Sequence, residues 1–170
     1  MIKHLTDREI TETLKGLTVL CDTREQDRHV EDYFKQKKIP QITRKLDVGD
    51  YSCQLGDVSF ERDIVVERKH NLDEICGNFT VERERFEREF LRAKAYGTKV
   101  VLIVENASWS DIFIGNYRSK LNSKSLVGSL LSWMVRFNIT ILFCKPEESA
   151  RIIYSLFYYH VKEVLQYGDV

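Results

Sequence analysis

Apolar residues recur along the chain at two spacings, one typical of strands and one typical of helices. Where they alternate with polar residues or form short unbroken runs, the pattern predicts strands at residues 17–21, 41–46, 51–55, 58–67, 99–104 and 139–143. Where they recur every three to four residues, it predicts helices at 7–15, around Val30 and Phe34 before Pro40, at 81–96, at 125–137 and at 147–165. Residues 106–124 show neither spacing, so we expect irregular structure there.

The order of these elements predicts an α/β fold with a central mixed sheet. The strands at 51–55 and 58–67 flank Gly56-Asp57, which is typical of an antiparallel hairpin. The second half alternates strand and helix, which favours parallel strands with helices on both faces of the sheet. We therefore expect three layers, α/β/α, with a mainly parallel sheet that carries the hairpin as an insert. No linker or repeat interrupts the pattern, so one domain is predicted over 1–170, with a core at about 17–165 and a short N-terminal extension.

Composition narrows the class of protein. The chain has 170 residues, 43% of them hydrophobic, with only 8 Gly and 2 Pro, which favours one ordered domain over a disordered chain. The longest apolar run, Val100 to Val104, is far shorter than the roughly 20 residues of a membrane-spanning helix. The first ten residues mix charged and apolar side chains, unlike a signal peptide. We therefore expect no membrane association and a cytoplasmic location, with a nucleoid, viral or mobile-element context left open.

Net charge and the spacing of cysteines and histidines bear on whether the chain binds nucleic acid or zinc. Lys and Arg together number 26, as do Asp and Glu, so no overall positive charge indicates a nucleic-acid partner. A polyanion would have to be bound by a local arrangement of residues. The four cysteines lack C-x-x-C spacing, and no histidine lies at metal-ligand spacing from another. We expect reduced cysteines and no zinc site.

Acidic residues cluster where predicted strands end or turn, at Asp22, Glu25, Asp50 and Glu67. Strand ends of open α/β sheets are where sites are commonly built. Because side chains alternate along a strand, Glu67 and Lys69 share one face and Arg68 points to the other. Converging carboxylates can hold Mg²⁺ beside a phosphate, and a nearby lysine can position or deprotonate water or stabilise developing negative charge. This set is suited to metal-assisted phosphodiester hydrolysis, although spacing and composition alone favour the alternative, a solvated strand end.

The order of these residues resembles a known nuclease signature. Gly49-Asp50, then Glu67-Arg68-Lys69 and, after three residues, Asp73 spell a motif similar to that of the XPF/Hef family of structure-specific endonuclease domains. Residues 22–25 resemble the D-x-R-E strand end of that family, and residues 47–51 resemble its G-D-Y turn. The resemblance extends over residues 17–165.

This resemblance implies a restriction-endonuclease-like fold and a DNA endonuclease that uses Mg²⁺ or Mn²⁺. The implied metal ligands are the carboxylates of Asp22, Asp50 and Glu67 and the main-chain carbonyl of Arg68. The implied catalytic lysine is Lys69, with supporting roles for Arg24, Glu25, Arg68 and Asp73. Arg68 is expected to brace the site through an ion pair. Asp73 has an alternative role as a helix-start carboxylate.

The resemblance also implies that DNA is the partner and that branched or single-strand-containing DNA is preferred. Members of the family usually carry a tandem helix-hairpin-helix module after the nuclease, and this sequence has no room for one. We therefore expect weak, salt-sensitive DNA binding and a protein partner that could supply targeting. The pathway, whether repair, recombination or viral DNA processing, stays open. The alternative function is a non-cleaving DNA-binding or scaffold protein with the nuclease fold.

Three segments carry further expectations. The helix at 147–165 is apolar over much of its circumference, and members of the resembled family pair through their late helices, so we expect a homodimer there. The alternative is that residues 125–137 pack beside it.

The charged run 82–89 is expected to form ion pairs within its own helix, through Glu84–Arg88 and Arg85–Glu89, with a site role for Arg85 as the alternative. The basic segment 117–124 is either a DNA-tracking loop or an ordinary exposed loop.

Overall fold

The structure, a computed structural model, describes residues 5–168; residues 1–4 and 169–170, which fall at the two ends of the predicted domain and include His4, lie outside the described residues. The strands are β1 (Leu17–Cys21), β2 (Gln41–Thr43), β3 (Tyr51–Leu55), β4 (Val58–Ser59), β5 (Ile64–Lys69), β6 (Lys99–Glu105) and β7 (Thr140–Cys144). The helices are α1 (Asp7–Leu14), α2 (His29–Gln36), α3 (Leu72–Thr80), α4 (Arg83–Tyr96), α5 (Trp109–Ile114), α6 (Ser123–Phe137) and α7 (Pro146–Tyr167).

The strands form one seven-stranded mixed sheet in the order β2-β1-β3-β5-β6-β7, with β4 paired to β3. The β1–β2, β5–β6 and β6–β7 pairs are parallel, whereas β3 is antiparallel to β1, β4 and β5. The predicted insert therefore lies in the middle of the sheet. Because β1 and β5 run in the same direction on either side of β3, their carboxyl ends meet the start of β3 at one edge. This edge holds the predicted site residues.

Helices cover both faces of the sheet, which confirms the expected three-layer α/β/α fold. One apolar core lies under α1, α2 and α7 and includes Val19, Val66 and Phe157. The other lies under α3 to α6 and includes Val65 and Trp133. Neighbouring residues of β5 thus point into different cores, as strand alternation requires. No helix of the described chain is long and apolar enough to cross a membrane.

Several predicted boundaries were wrong for local reasons. The strand predicted at 41–46 ends at Thr43, because the Leu46 N–H donates to the Asp22 carboxylate (2.6 Å) and that part of the chain leaves the sheet. The strand predicted at 58–67 is split by a turn in which Asp63 N donates to the Phe60 carbonyl (2.9 Å). The stretch predicted as irregular, 106–124, contains α5, which has six residues, too few for a visible helical spacing.

The last helix is covered more completely than its sequence indicates. Eight apolar side chains led us to expect a free face on this helix. Only Tyr159 is exposed. Three are buried, Ile153, Phe157 and Val161, and four are partly buried, Ile152, Leu156, Val164 and Leu165. The helix lies against the sheet with α1 and α2 beside it. The alternative in which residues 125–137 cover it was wrong, because α6 packs on the opposite face of the sheet.

Candidate active site

A glycine turn positions Asp50 at the sheet edge. Gly49 has φ +76°, and a Cβ there would lie 3.0 Å from the main-chain oxygen of Val66 and 3.1 Å from the Cβ of Val65. Only glycine combines that φ with so close an approach to β5. Asp50 N donates to the Val66 carbonyl (2.8 Å), and its carboxylate accepts from the main-chain N–H of Arg68 (2.8 Å). The carboxylate is therefore held against the end of β5.

Glu67 and Lys69 share one face of β5, as strand alternation predicts. Lys69 Nζ lies 2.8 Å from Glu67 Oε1 and 3.3 Å from Glu74 Oε1, and 4.6 Å from the ring centroid of Phe86. Glu67, Arg68 and Lys69 are only 7%, 6% and 7% exposed. The interpretation of this triplet as a solvated strand end was therefore wrong.

Burial and neighbouring charges shift the pKa values of Asp50, Glu67 and Lys69. Burial, together with the negative charge of Glu67, raises the pKa of Asp50 well above its usual value. Burial also raises the pKa of Glu67, against the opposing effect of Lys69. Burial alone would lower the pKa of Lys69, but Glu67 and Glu74 outweigh it and the pKa is raised. Lys69 is therefore an ammonium ion at neutral pH, beside two carboxyl groups that disfavour each other's ionisation.

Arg68 points away from that face and forms the expected ion pairs. Its guanidinium donates to Glu25 at 3.0 and 3.2 Å and to Glu105 at 3.0 Å, and all three side chains are at most 9% exposed. His29 Nε2 lies 2.9 Å from the other oxygen of Glu105. Sequence reasoning missed Glu105; its one signal was an acidic residue ending the apolar run of β6. These contacts join β5, β6 and the segment after β1 behind the cleft.

Asp22 is buried beside the cleft and does not line it. Its carboxylate accepts from the main-chain N–H and Nε of Arg24 (2.8 and 2.7 Å) and from Leu46 N (2.6 Å). Burial raises the pKa of Asp22, but these hydrogen bonds outweigh it and the pKa is lowered. Arg24 lines the cleft and also donates to the Leu46 carbonyl (3.1 Å). The structure thus brings Arg24 to the cleft, while the oxygens of Asp22 are occupied by hydrogen bonds.

Asp73 also lies outside the cleft. Its Oδ1 accepts from the main-chain N–H groups of Arg118 and Ser119, both at 2.8 Å, and it stands in the first turn of α3. It therefore ties the start of this helix to the loop after α5. This position fits the helix-start alternative, and it gives part of the basic segment 117–124 a fixed backbone.

The cleft above Asp50 and Glu67 has a volume of about 600 Å³. Carboxyl groups outnumber cations among the residues that line it: Glu25, Asp50, Glu67, Glu74, Glu82 and Glu89 against Arg24, Arg68, Lys69 and Arg85. The predicted pairs Arg85–Glu89 and Glu84–Arg88 are present at 3.6 and 3.8 Å, and Arg85 faces the cleft as well. Two further residues that line the cleft, Glu74 and Asn78, were not predicted from the sequence. The Oδ1 atom of Asn78 is buried and has no hydrogen-bond partner among the described residues.

The donor set is compatible with a divalent cation at Asp50 and Glu67. Within residues 5–168, no three carboxylate, imidazole or thiol groups are gathered as metal ligands. Glu67, which is buried, and Asp50, which is partly buried, nevertheless line the same cleft, and the contacts described above engage one oxygen of each. Hard divalent cations prefer such oxygen donors, and a cation would relieve the repulsion that raises the pKa of Asp50.

Comparison with protein-family models matches the ERCC4 domain over residues 21–156. Among solved structures, the chain is similar to XPF from Aeropyrum pernix, with 21% identity and a TM-score of 0.66 over 86% of this chain and 66% of that one. It is also similar to XPF from Aeropyrum pernix in complex with DNA, with 23% identity and a TM-score of 0.64 over 85% and 65% of the chains. The chain thus spans just under two thirds of these relatives, and the likeness confirms the fold. Comparison with curated proteins gives no match.

Proposed function

The chain belongs to the ERCC4 domain family, and from that premise we propose that it is a metal-dependent endonuclease that hydrolyses phosphodiester bonds in DNA. One observation carries the proposal: the carboxyl groups of Glu67, which is buried, and Asp50, which is partly buried, line an open cleft together with the Lys69 ammonium. A relative of the same fold is described in complex with DNA, which supports the substrate class.

Asp50, Glu67 and the main-chain carbonyl of Arg68 would hold the metal ion, Mg²⁺ or Mn²⁺. When bound, such an ion polarises water and the scissile phosphate as a Lewis acid. The chain contributes the fixed positions of its donors. The Arg68 N–H orients the Asp50 carboxylate, and the Lys69 ammonium orients that of Glu67.

Lys69 acts as a cation in this mechanism. Because Glu67 and Glu74 keep it protonated, it donates a hydrogen bond to a phosphate oxygen and stabilises the negative charge that develops there. This role is favoured over removal of a proton from water. Arg24 and Arg85, which also line the cleft, are placed to bind further phosphate oxygens.

The alternative is a DNA-binding or scaffold protein that keeps the fold without cutting. Burying Glu67 and Lys69 costs desolvation free energy even when they are paired. A protein that only binds DNA has no need of that cost, since exposed Lys and Arg residues bind phosphates without it. The buried set therefore favours cleavage. On the basis of family membership, we also propose a preference for branched or single-strand-containing DNA and a protein partner that directs the enzyme to its substrate.

The deciding experiment compares cleavage of a forked DNA, an uninterrupted duplex and a single strand in Mg²⁺, Mn²⁺ and excess EDTA. We expect metal-dependent cleavage, fastest on the forked or single-stranded DNA. Lys69→Met and Asp50→Asn should each lower the rate by at least 100-fold with an unchanged circular dichroism spectrum. Lys35→Ala, which removes an exposed lysine from α2, is the control and should cut normally. Full activity in EDTA, or in either folded site variant, would contradict the assignment; equal cleavage of duplex and fork would remove the preference.

A further inference from the structure

A second cavity of about 490 Å³ lies beside the active-site cleft and has a different charge character. Three arginines, Arg44, Arg62 and Arg92, line it together with Tyr96, against two carboxylates, Asp47 and Glu61. Sequence analysis drew no function from these residues.

The two cavities share their walls. Residues 49–50 line the cleft and residues 47–48 line the second cavity, so one segment borders both. On α4, Arg85 and Glu89 border the cleft, and Arg92 and Tyr96 border the second cavity. These four positions are spaced by four, three and four residues, which places them on one face of the helix. The two cavities therefore follow one another along the same face of α4, and we refer to them together as one groove.

At the second cavity, two of the three arginines form no ion pair with the residues that the structure describes. Arg44 is paired with Glu61 and Ser59, and its Nε is buried with no partner in the described chain. Arg62 and Arg92 are exposed and form no ion pair with any described residue. Arg62 stacks over the ring of Tyr96 with its guanidinium carbon 4.9 Å from the centroid, and Tyr96 is 61% exposed. Exposed arginines with an aromatic ring are the usual components of a surface that binds nucleic-acid strands.

We propose that Arg62, Arg92 and Tyr96 form a strand-binding groove, which holds the nucleic-acid strand on one side of the scissile phosphate. The inference rests on the proposed function. Arg92 lies seven positions after Arg85 on α4, which corresponds to a distance of about 10 Å along the helix axis. At about 3.4 Å or more per nucleotide, this distance corresponds to two to three nucleotides. The arginines bind phosphates of that flanking segment, and Tyr96 stacks on one of its unpaired bases.

This arrangement separates two electrostatic tasks. The cleft has an excess of carboxyl groups, which suits a metal ion and would repel a phosphate backbone in the absence of that ion. The strand-binding groove supplies attraction for the polyanion close to the site, although the chain as a whole has no net charge. Binding in the groove therefore needs no metal ion, whereas cleavage does.

The first test measures binding of a fluorescent single-stranded DNA in EDTA at several salt concentrations. The double variant Arg62→Gln with Arg92→Gln should bind more weakly than the unaltered protein. The slope of log K against log salt should fall by about 1.4, at roughly 0.7 for each phosphate that the variant no longer binds. The matched control is Arg88→Gln, which removes an exposed arginine of the same helix that borders neither cavity, and it should bind like the unaltered protein. An equal slope for the double variant and the control would overturn the proposal.

The second test measures cleavage of strands shortened one nucleotide at a time on either side of the cut. For the unaltered protein, kcat/KM should drop when the second or third nucleotide on one side is removed. The double variant should show no such step. A protein that cuts DNA but gives the same step in both forms would refute the groove and leave the endonuclease intact. Salt-sensitive binding through the two arginines without any cleavage would support the groove and refute the endonuclease.

Discussion

Consecutive residues at the end of β5 have opposite surroundings, and this difference decides what each can do. Glu67 and Lys69 face the cleft, while Arg68 faces Glu25 and Glu105 behind it. A conservative change at Arg68 would therefore weaken the ion pairs with Glu25 and Glu105, which we call the brace. A change at Lys69 would alter the positive charge available to a phosphate.

The same distinction applies to Asp22, for which the resemblance and the geometry suggest different roles. If it positions Arg24 and residue 46, Asp22→Asn should keep Mn²⁺ affinity, measured by electron paramagnetic resonance, within a factor of about 2. It should lower the free energy of unfolding by about 1–3 kcal/mol, because a buried charged acceptor loses hydrogen-bond strength. Asp50→Asn, as the comparison variant, should lose Mn²⁺ binding. If the folded Asp22 variant also failed to bind Mn²⁺, Asp22 would be a ligand after all.

At the scale of elements, the site depends on contacts between segments that lie far apart in the chain. Arg68 and Glu105 are 37 residues apart, and their ion pair joins β5 to β6 at the sheet edge. Glu25 adds the segment after β1 to the same guanidinium. This brace fixes the direction in which β5 leaves the sheet, and hence the position of the Lys69 side chain.

Removing the negative charge of Glu105 should weaken this brace measurably. Glu105→Gln leaves the buried guanidinium of Arg68 with two anionic partners, Glu25 at 3.0 Å and the more exposed Asp27 at 3.7 Å, so we expect a loss of about 2–4 kcal/mol in the free energy of unfolding. Urea denaturation measures this loss. Glu12→Gln, which breaks an exposed ion pair with Lys15, is the control and should change stability little. Equal effects of the two substitutions would show that the brace does not stabilise the fold.

At the scale of the whole molecule, exposed apolar side chains include a group on α5 and α6, besides others such as Val58 and Val81 elsewhere on the surface. Val135 is 86% exposed, Ile114 73% and Phe113 64%, whereas on α7 Tyr159 and Tyr167 are the large apolar side chains that reach solvent within the described chain. Apolar area of this kind on neighbouring helices is typical of an interface between subunits. We therefore propose that the expected homodimer has its apolar contact on α6, in place of the helix that the sequence indicated.

Light scattering at micromolar concentration should give about twice the chain mass, as expected for a two-fold dimer. Val135→Glu should reduce it to the mass of one chain, and Tyr159→Glu, on α7, should leave the dimer intact. Phe157→Glu is unsuitable for this purpose, because Phe157 is fully buried and a charge there would unfold the protein. A single-chain mass at every concentration, or dissociation by Tyr159→Glu alone, would contradict the assignment.

Local sequence determined most of the elements, with α3 and α5 as exceptions, and it determined the chemistry of the strand end. Alternation placed Glu67 and Lys69 together and Arg68 opposite them, because that rule depends only on the period of a strand. The G-D and E-R-K motifs, which resemble the family signature, identified the family that the match over residues 21–156 shows. The order of strands and helices predicted three layers, because short connections restrict the possible topologies.

Tertiary structure decided which of the acidic residues meet. Asp22 follows β1 and Asp50 precedes β3 at the same edge of the sheet, yet Arg24 and Leu46 occupy the carboxylate of the first, and only the second lines the cleft. The partners Glu105 and Glu74 and the arginines of the groove come from other elements, through contacts that no local spacing records. Spacing fixes the direction of a side chain, but its charge state and its partner depend on what the fold packs against it.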